Sequence, residues 1–116
     1  MPIQNWSDNV LLVELADDPQ FTDDLEVLLK SVEKENQYDV VLNFQGVHFL
    51  NSSNIAKLLK LRKLLTINHK RKLKLCAIST HVWGVFLVTG LDKIFDVYDD
   101  VASGMLSLQI EGGGSA

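Results

Sequence analysis

The run Val40-Val41-Leu42-Asn43-Phe44-Gln45-Gly46-Val47-His48-Phe49-Leu50-Asn51-Ser52-Ser53-Asn54 changes character twice within fifteen residues. Its first five positions are almost wholly apolar, as in a central strand covered on both faces. Gln45 to Leu50 leaves that strand. Asn51-Ser52-Ser53-Asn54 then supplies the short polar side chains that satisfy free N–H groups where a helix begins. The helix is amphipathic: Ile55, Leu58, Leu59, Leu61, Leu65 and Ile67 interleave with Lys57, Lys60, Arg62 and Lys63. A buried strand running by a short loop into such a helix is half of a parallel crossover unit.

The same alternation extends in both directions. Upstream, Val10 to Ala16 reads as a mostly buried strand interrupted by Glu14, with Ile3 to Trp6 as a short edge strand beside it. Asp17-Asp18-Pro19-Gln20 is a connection. Thr22 is the expected N-cap of a first helix, with Asp23 and Asp24 on its first turn, where the helix dipole favours negative charge. Phe21, Leu25, Leu28, Leu29 and Val32 form its apolar stripe, which ends near Glu35.

Downstream, Asn68 to Arg71 breaks the basic helix, and Lys72 to Ile78 reads as the third principal strand. Ser79-Thr80 caps a helix from His81 to about Thr89, and Gly90 stands where a left-handed C-terminal residue belongs. A turn leads to a short strand, Asp96-Val97-Tyr98. Asp99 or Asp100 then caps a last helix carrying Val101, Met105, Leu106, Leu108 and Ile110. Trp83 is expected to be half buried beside Phe86, and Trp6 to anchor the core or its rim. The expected fold is α/β: one domain over 1–111, a mixed sheet with parallel central strands and about four helices packed on it, then a flexible tail over 112–116.

Composition limits the class. With 116 residues, 47% of them hydrophobic and 22% charged, the chain is one domain with one real core and is not disordered. A single cysteine excludes a disulfide scaffold or a cysteine-based metal cage and suits a reducing compartment. The apolar runs fall short of a membrane span and the first residues do not resemble a secretory signal, so a cytoplasmic domain without a membrane partner is expected.

The net charge of −4 conceals a segregation. Residues 1–39 carry ten acids and two bases, 40–91 eight bases and no acid, and 92–116 five acids and one base. The middle block (Lys57, Lys60, Arg62, Lys63, Lys70, Arg71, Lys72 and Lys74) is either an electropositive face for an anionic partner or a solvated surface near the acidic ends. The acidic total argues against nucleic acid, whose binding needs a net basic surface.

Templates for catalysis find no match: GxxxxGK[ST], GxGxxG and HExxH are missing, and His48, His69 and His81 are too scattered for a ligand set. Cys76 falls on a buried strand as a small apolar filler. Ser52 and Ser53 lack the flanking glycines of a hydrolase elbow. No enzyme activity and no cofactor are expected. Two uses of Asn51-Ser52-Ser53-Asn54 remain open: a helix cap alone, or an exposed serine whose phosphate would face free N–H donors and the positive end of the dipole.

Several segments together resemble the STAS domains, the anti-sigma-factor antagonists. Val41-Leu42-Asn43-Phe44 followed by Val47-His48-Phe49-Leu50-Asn51-Ser52-Ser53 is similar to that family's central strand, loop and D-S-S-G or D-S-T-G motif. Leu75-Cys76-Ala77-Ile78-Ser79 resembles its next strand and turn, and Val82 to Phe86, Thr89-Gly90-Leu91 and Ile94-Phe95 resemble its later pattern. The resemblance spans roughly residues 8–110.

It implies a regulatory protein-binding module that switches partners. A serine kinase of the ATP-binding type, itself the anti-sigma factor, would phosphorylate Ser52, and a phosphatase would reset the switch. The partner-binding residues implied are Leu50, Asn51, Ser52, Ser53, Asn54, Ile55, Lys57 and Leu58. Asn51 stands where the family usually has aspartate, Asn54 where it usually has glycine, and Asp17-Asp18-Pro19-Gln20 where a glycine-leucine signature is usual. A scaffold that is never phosphorylated, and a binder of an anionic small molecule or nucleotide on the Lys57–Lys74 segment, are the alternatives. The second has no glycine-rich phosphate loop behind it.

Overall fold

In the computed structural model, which describes residues 3–114 (side chains over 3–109), the elements alternate as expected. They are β1 (Ile3–Ser7), β2 (Val10–Ala16), α1 (Gln20–Lys34), β3 (Asp39–Gly46), α2 (Ser52–Arg62), a π-helical segment (Lys63–Asn68), β4 (Leu73–Cys76), α3 (Thr80–Thr89), a 3₁₀ turn (Leu91–Lys93), β5 (Asp96–Tyr98) and α4 (Val101–Gly114). One sheet carries the strands in the order β1-β2-β3-β4-β5. β1 pairs antiparallel with β2, and every other pair is parallel.

Because each parallel strand lies beside its predecessor and crossovers are right-handed, α1, α2 and α3 are carried to one face of the sheet. The alternation of the strands shows it. Leu11, Val13 and Leu15 of β2, Val40, Leu42 and Phe44 of β3, and Leu73 and Leu75 of β4 all enter the core shared with Phe21, Leu25, Leu28, Leu58, Leu61, Val82 and Phe86. Phe44 lies edge-on between Phe21 of α1 and Phe86 of α3, at 6.1 and 6.3 Å between ring centres.

The opposite face is thinner. Leu12, Val41 and Cys76 meet Tyr98, Val101, Met105 and Leu108 of β5 and α4. There α4 rides close on β4, since a Cβ added at Gly104 would collide with Cys76 Sγ. Burial holds the Cys76 thiol up at about 11, consistent with an inert filler.

Several boundaries differ from the expectation. α1 starts at Gln20, and Thr22 is not its cap: Asp18 Oδ1 accepts from the Thr22 N–H at 2.9 Å and from its hydroxyl at 2.7 Å. A carboxylate outside the helix has taken the capping role that the hydroxyl was expected to fill. The basic helix is not α-helical to Ile67 but relaxes into the π-helical segment after Arg62. β4 ends at Cys76 rather than Ile78, because Ala77 turns to φ 60° and donates its N–H to Tyr98 O.

Ser79 caps α3 and Gly90 (φ 78°) ends it as expected, and of the two candidates for α4, Asp99 and Asp100, it is Asp100 that accepts from the Ser103 N–H. Trp83 stacks on Phe86, whereas Trp6 is 59% exposed on β1 and takes no part in the core. α4 runs to Gly114, past the boundary placed at 111. Residues 115 and 116 lie outside the described ones, as does the Ile110 side chain.

Candidate functional site

The carboxyl ends of the parallel strands deliver the Asn51–Asn54 junction to one edge of the sheet. Asn51 is the cap of α2 and pairs reciprocally with Asn54. The Asn54 N–H donates to Asn51 Oδ1 at 2.8 Å, and the Asn51 N–H donates to Asn54 Oδ1 at 3.2 Å. With both side-chain oxygens turned to the helix backbone, both amide nitrogens turn outward to one acceptor. Asn51 Nδ2 and Asn54 Nδ2 donate to Asp18 Oδ2 at 3.0 and 2.9 Å.

Asp18 thereby gathers four donors, two from Thr22 and two from the asparagines. They hold its carboxyl down at about 2, the Thr22 hydroxyl first and the Asn54 amide next, against the opposing effect of burial. Asp17 does the same for the loop before α2. Its Oδ1 accepts from the N–H groups of His48 (2.7 Å) and Phe49 (3.2 Å), and its Oδ2 lies 2.9 Å from His48 Nδ1. The His48 N–H is the leading cause that lowers its pKa.

The three departures from the family pattern are therefore one unit. Asparagine at 51 and 54 can donate where aspartate or glycine could not, and the acceptor is the acid of the changed β2–α1 loop. An aspartate at 51 would face Asp18 as a like charge.

Ser52 occupies the first position of α2 and is exposed, as is Ser53. Among the described residues none is hydrogen bonded to the Ser52 hydroxyl. Asn51 is exposed, and Leu50, Ile55 and Lys57 are half buried. Lys57 lies 3.7 Å from Glu26 of α1. Two of the residues grouped with the partner surface do not belong there. Leu58 faces the core and Asn54 is 2% exposed, turned inward by the bonds it makes.

The basic block does not form one face. Lys74 is 1% exposed beneath α4, its Nζ 3.1 Å from Asp96 Oδ2 and 5.5 Å from the centre of the Tyr98 ring. Lys60 and Lys63 share a groove with Glu26, Lys30 and Glu33, while Arg62, Lys70, Arg71 and Lys72 gather at the far end of the sheet.

A further feature of the Ser52 edge was not assigned from the sequence. Phe49 is 67% exposed and stands edge-on to His81 at 5.6 Å. His81, Val85 and Val88 recur at helical spacing on α3, so Phe49 meets one end of an outward stripe that finishes at Val88, 89% exposed. The signal was present: α3 has no charged residue and is apolar all round, although a helix covered on one side only needs a polar face.

A mixed sheet with one helix on one face and three on the other thus carries a serine pair at a loop-to-helix junction. The STAS domain family model matches residues 20–104, and the chain belongs to the STAS domain family.

Solved structures share the fold. An anti-sigma-factor antagonist (STAS) domain protein from Planctomyces limnophilus superposes with a TM-score of 0.75 at 19% identity, covering 86% of this chain and 91% of its own. A structure from work on the molecular architecture of the stressosome, a signal integration and transduction hub, gives 0.74 at 17%, with 96% and 98% covered. The anti-sigma factor antagonist SpoIIAA in its unphosphorylated form gives 0.67 at 13%, with 95% and 96% covered. No curated protein matches the chain in sequence. Among the described residues no helix is long and apolar enough to cross a membrane, and no cluster of ligating side chains could hold a metal ion.

Proposed function

We propose that this STAS domain is a regulatory protein-binding module, an anti-sigma-factor antagonist that switches partners through phosphorylation of Ser52. The observation that carries the proposal is the exposed, unbonded Ser52 hydroxyl at the head of α2, beside exposed Phe49 and the apolar stripe of α3. The loop and helix start are already locked by Asp17 and Asp18, so a partner docks on a surface that need not be ordered first.

The partner is an anti-sigma factor that is also a serine kinase of the ATP-binding type. The Ser52 oxygen takes the γ-phosphoryl group of ATP, ADP leaves, and the hydroxyl proton passes to the kinase. The product carries about −1.5 to −2 charge, seated next to two N–H groups of the first turn and in a neighbourhood already acidic through Asp18. The domain stays folded, and the apolar patch acquires a dianion that an apolar partner surface must desolvate on docking. A phosphatase restores the hydroxyl.

The test is incubation with the cognate kinase and ATP, mass mapping, and capture assays with Ser52→Ala and Ser52→Asp. We expect phosphate on Ser52, and the aspartate variant captured at least about tenfold less well than the alanine variant. Phosphate elsewhere or nowhere would defeat the switch.

A second reading is favoured by the commitment of Asn51 and Asn54 to Asp18, which departs from the phosphorylated motif of the family. In it the domain is a constitutive scaffold in a larger signalling assembly, and the alanine and aspartate variants are captured alike.

A further inference from the structure

α3 carries no charged residue, whereas α1, α2 and α4 each carry at least one. Its outward side is largely apolar as well. Leu87 and Val88 are 53% and 89% exposed, and Thr80 and His81 nearer its start are also exposed. Phe49 stands edge-on to His81. The face thus has an aromatic end, Phe49 and His81, and an aliphatic end, Leu87 and Val88.

Gly84 lies midway between the two ends on the same side of the helix, three residues after His81 and four before Val88. Three other glycines have a reason inside the domain. A Cβ at Gly46 would meet Leu15 O at 2.9 Å, one at Gly104 would collide with Cys76 Sγ, and Gly90 holds φ 78°. At Gly84 an added Cβ meets nothing within 4 Å, and the backbone is ordinary α-helix. Glycine is among the least favourable residues inside a helix, so it costs stability that the single domain does not recover. What a missing Cβ gives an outward helix face is room for another backbone to come close.

Two properties of the face point to a second copy of this chain as the occupant. A surface that meets its own copy about a two-fold axis sets like groups near one another, and at net −4 two copies repel wherever their acids are exposed. The uncharged helix escapes that repulsion. A two-fold axis lying across α3 at Gly84 also runs the two helices antiparallel and brings the two glycines together. It sets the Phe49 end of one copy on the Leu87–Val88 end of the other, so each end supplies the apolar cover that the other lacks. The contact is one helix of ten residues and one neighbouring ring on each copy. That is at the small end of specific interfaces, which makes the dimer weak and reversible.

We propose that this chain forms a two-fold dimer through α3, with the helices crossing at Gly84. The dimer covers Phe49, so self-association competes with partner capture at the Ser52 edge, but it needs neither kinase nor phosphate. The test is sedimentation equilibrium of the full chain from about 10 µM to about 1 mM, with amide shifts followed by NMR. We expect the mean mass to rise with concentration towards twice that of the monomer, with shifts centred on Phe49 and on Thr80 to Thr89.

Gly84→Gln, which fills the crossing point, and Val88→Glu, which sets a carboxylate in the contact, should each weaken dimerisation by about tenfold or more. Both should keep the wild-type far-ultraviolet circular dichroism, and Gly84→Gln should not melt below the wild type, because glutamine is the better helix former. Leu106→Glu makes the same charge change at an exposed apolar side chain of α4, across the sheet, and should alter dimerisation by less than about twofold. Ser52→Ala should dimerise as the wild type does, which separates this proposal from the phosphoacceptor reading. A mass that stays monomeric throughout, dimerisation undiminished by Gly84→Gln, or equal weakening by Leu106→Glu would each overturn it.

Discussion

At the carboxyl end of the parallel strands, Asp17 and Asp18 accept from backbone N–H groups, a hydroxyl, two side-chain amides and the His48 ring. At the amino end, Asp39 and Asp96 are set against Arg71 and Lys74. The same side chain thus fixes a loop at each end, with opposite electrical outcomes. Uncharged donors hold Asp18 and leave its charge uncancelled, while Asp17 faces the His48 ring at 2.9 Å. At the other edge cations meet both acids. A chain of modest net charge is consequently uneven in charge from one end of its sheet to the other.

The largest expected effect breaks the neutrality of the donors. Asn54→Asp sets a nearly buried carboxylate against Asp18 in place of a 2.9 Å hydrogen bond. It should cost about 3 kcal/mol in urea denaturation, as an uncompensated buried charge does. Adding Asp18→Asn should recover most of that loss. An Asn54→Asp protein as stable as the wild type would show that donor neutrality is irrelevant at this edge.

A smaller effect sharpens the contrast through pH. Asp18 is held at about 2 against an ordinary 3.8, and Asp17 is also lowered. A carboxyl depressed on folding binds fewer protons than it does unfolded, so its contribution is present above about pH 4 and is lost as pH falls towards about 2. Asp18 is exposed, and solvent screening keeps its share to about 1 kcal/mol. Denaturation midpoints measured from pH 5 to pH 2 should fall in the wild type and fall less in Asp18→Asn. Parallel curves for the two would remove Asp18 from the account.

The smallest effect on stability belongs to the exposed edge itself. Phe49→Ala, at a side chain 67% exposed, should change stability by less than about 0.5 kcal/mol while weakening partner capture by about tenfold. Undiminished capture would take Phe49 out of the partner surface.

The elements that were legible in the sequence are those whose cause is local. The apolar run from Val40, the stripe from Phe21 to Val32 and the caps at Asn51, Ser79 and Asp100 each need only neighbours along the chain, and each was found. The misreadings share the opposite origin. Thr22 was expected to cap α1 by its own hydroxyl, but the Asp18 carboxylate four residues earlier was the better acceptor. Leu58 and Asn54 were grouped with Ser52 through the family resemblance, whereas the helix turns both inward, Leu58 to the core that its place in the apolar stripe already suggested. Lys74 was counted with the exposed bases, although strand alternation places it under α4. Phe49 was passed over because its exposure depends on where α3 lies.

Residue order alone thus determined the alternation of strands and helices, the parallel crossovers that follow from it, and the serine at the head of the second helix, because periodicity and capping act over a few residues. The tertiary structure decided which charges meet. Asp18 reaches Asn51 and Asn54 across more than thirty positions, and Arg62 reaches Ile94 O across as many. A hydrogen bond or an ion pair depends on distance in space, and the packing of helices on the sheet sets that distance.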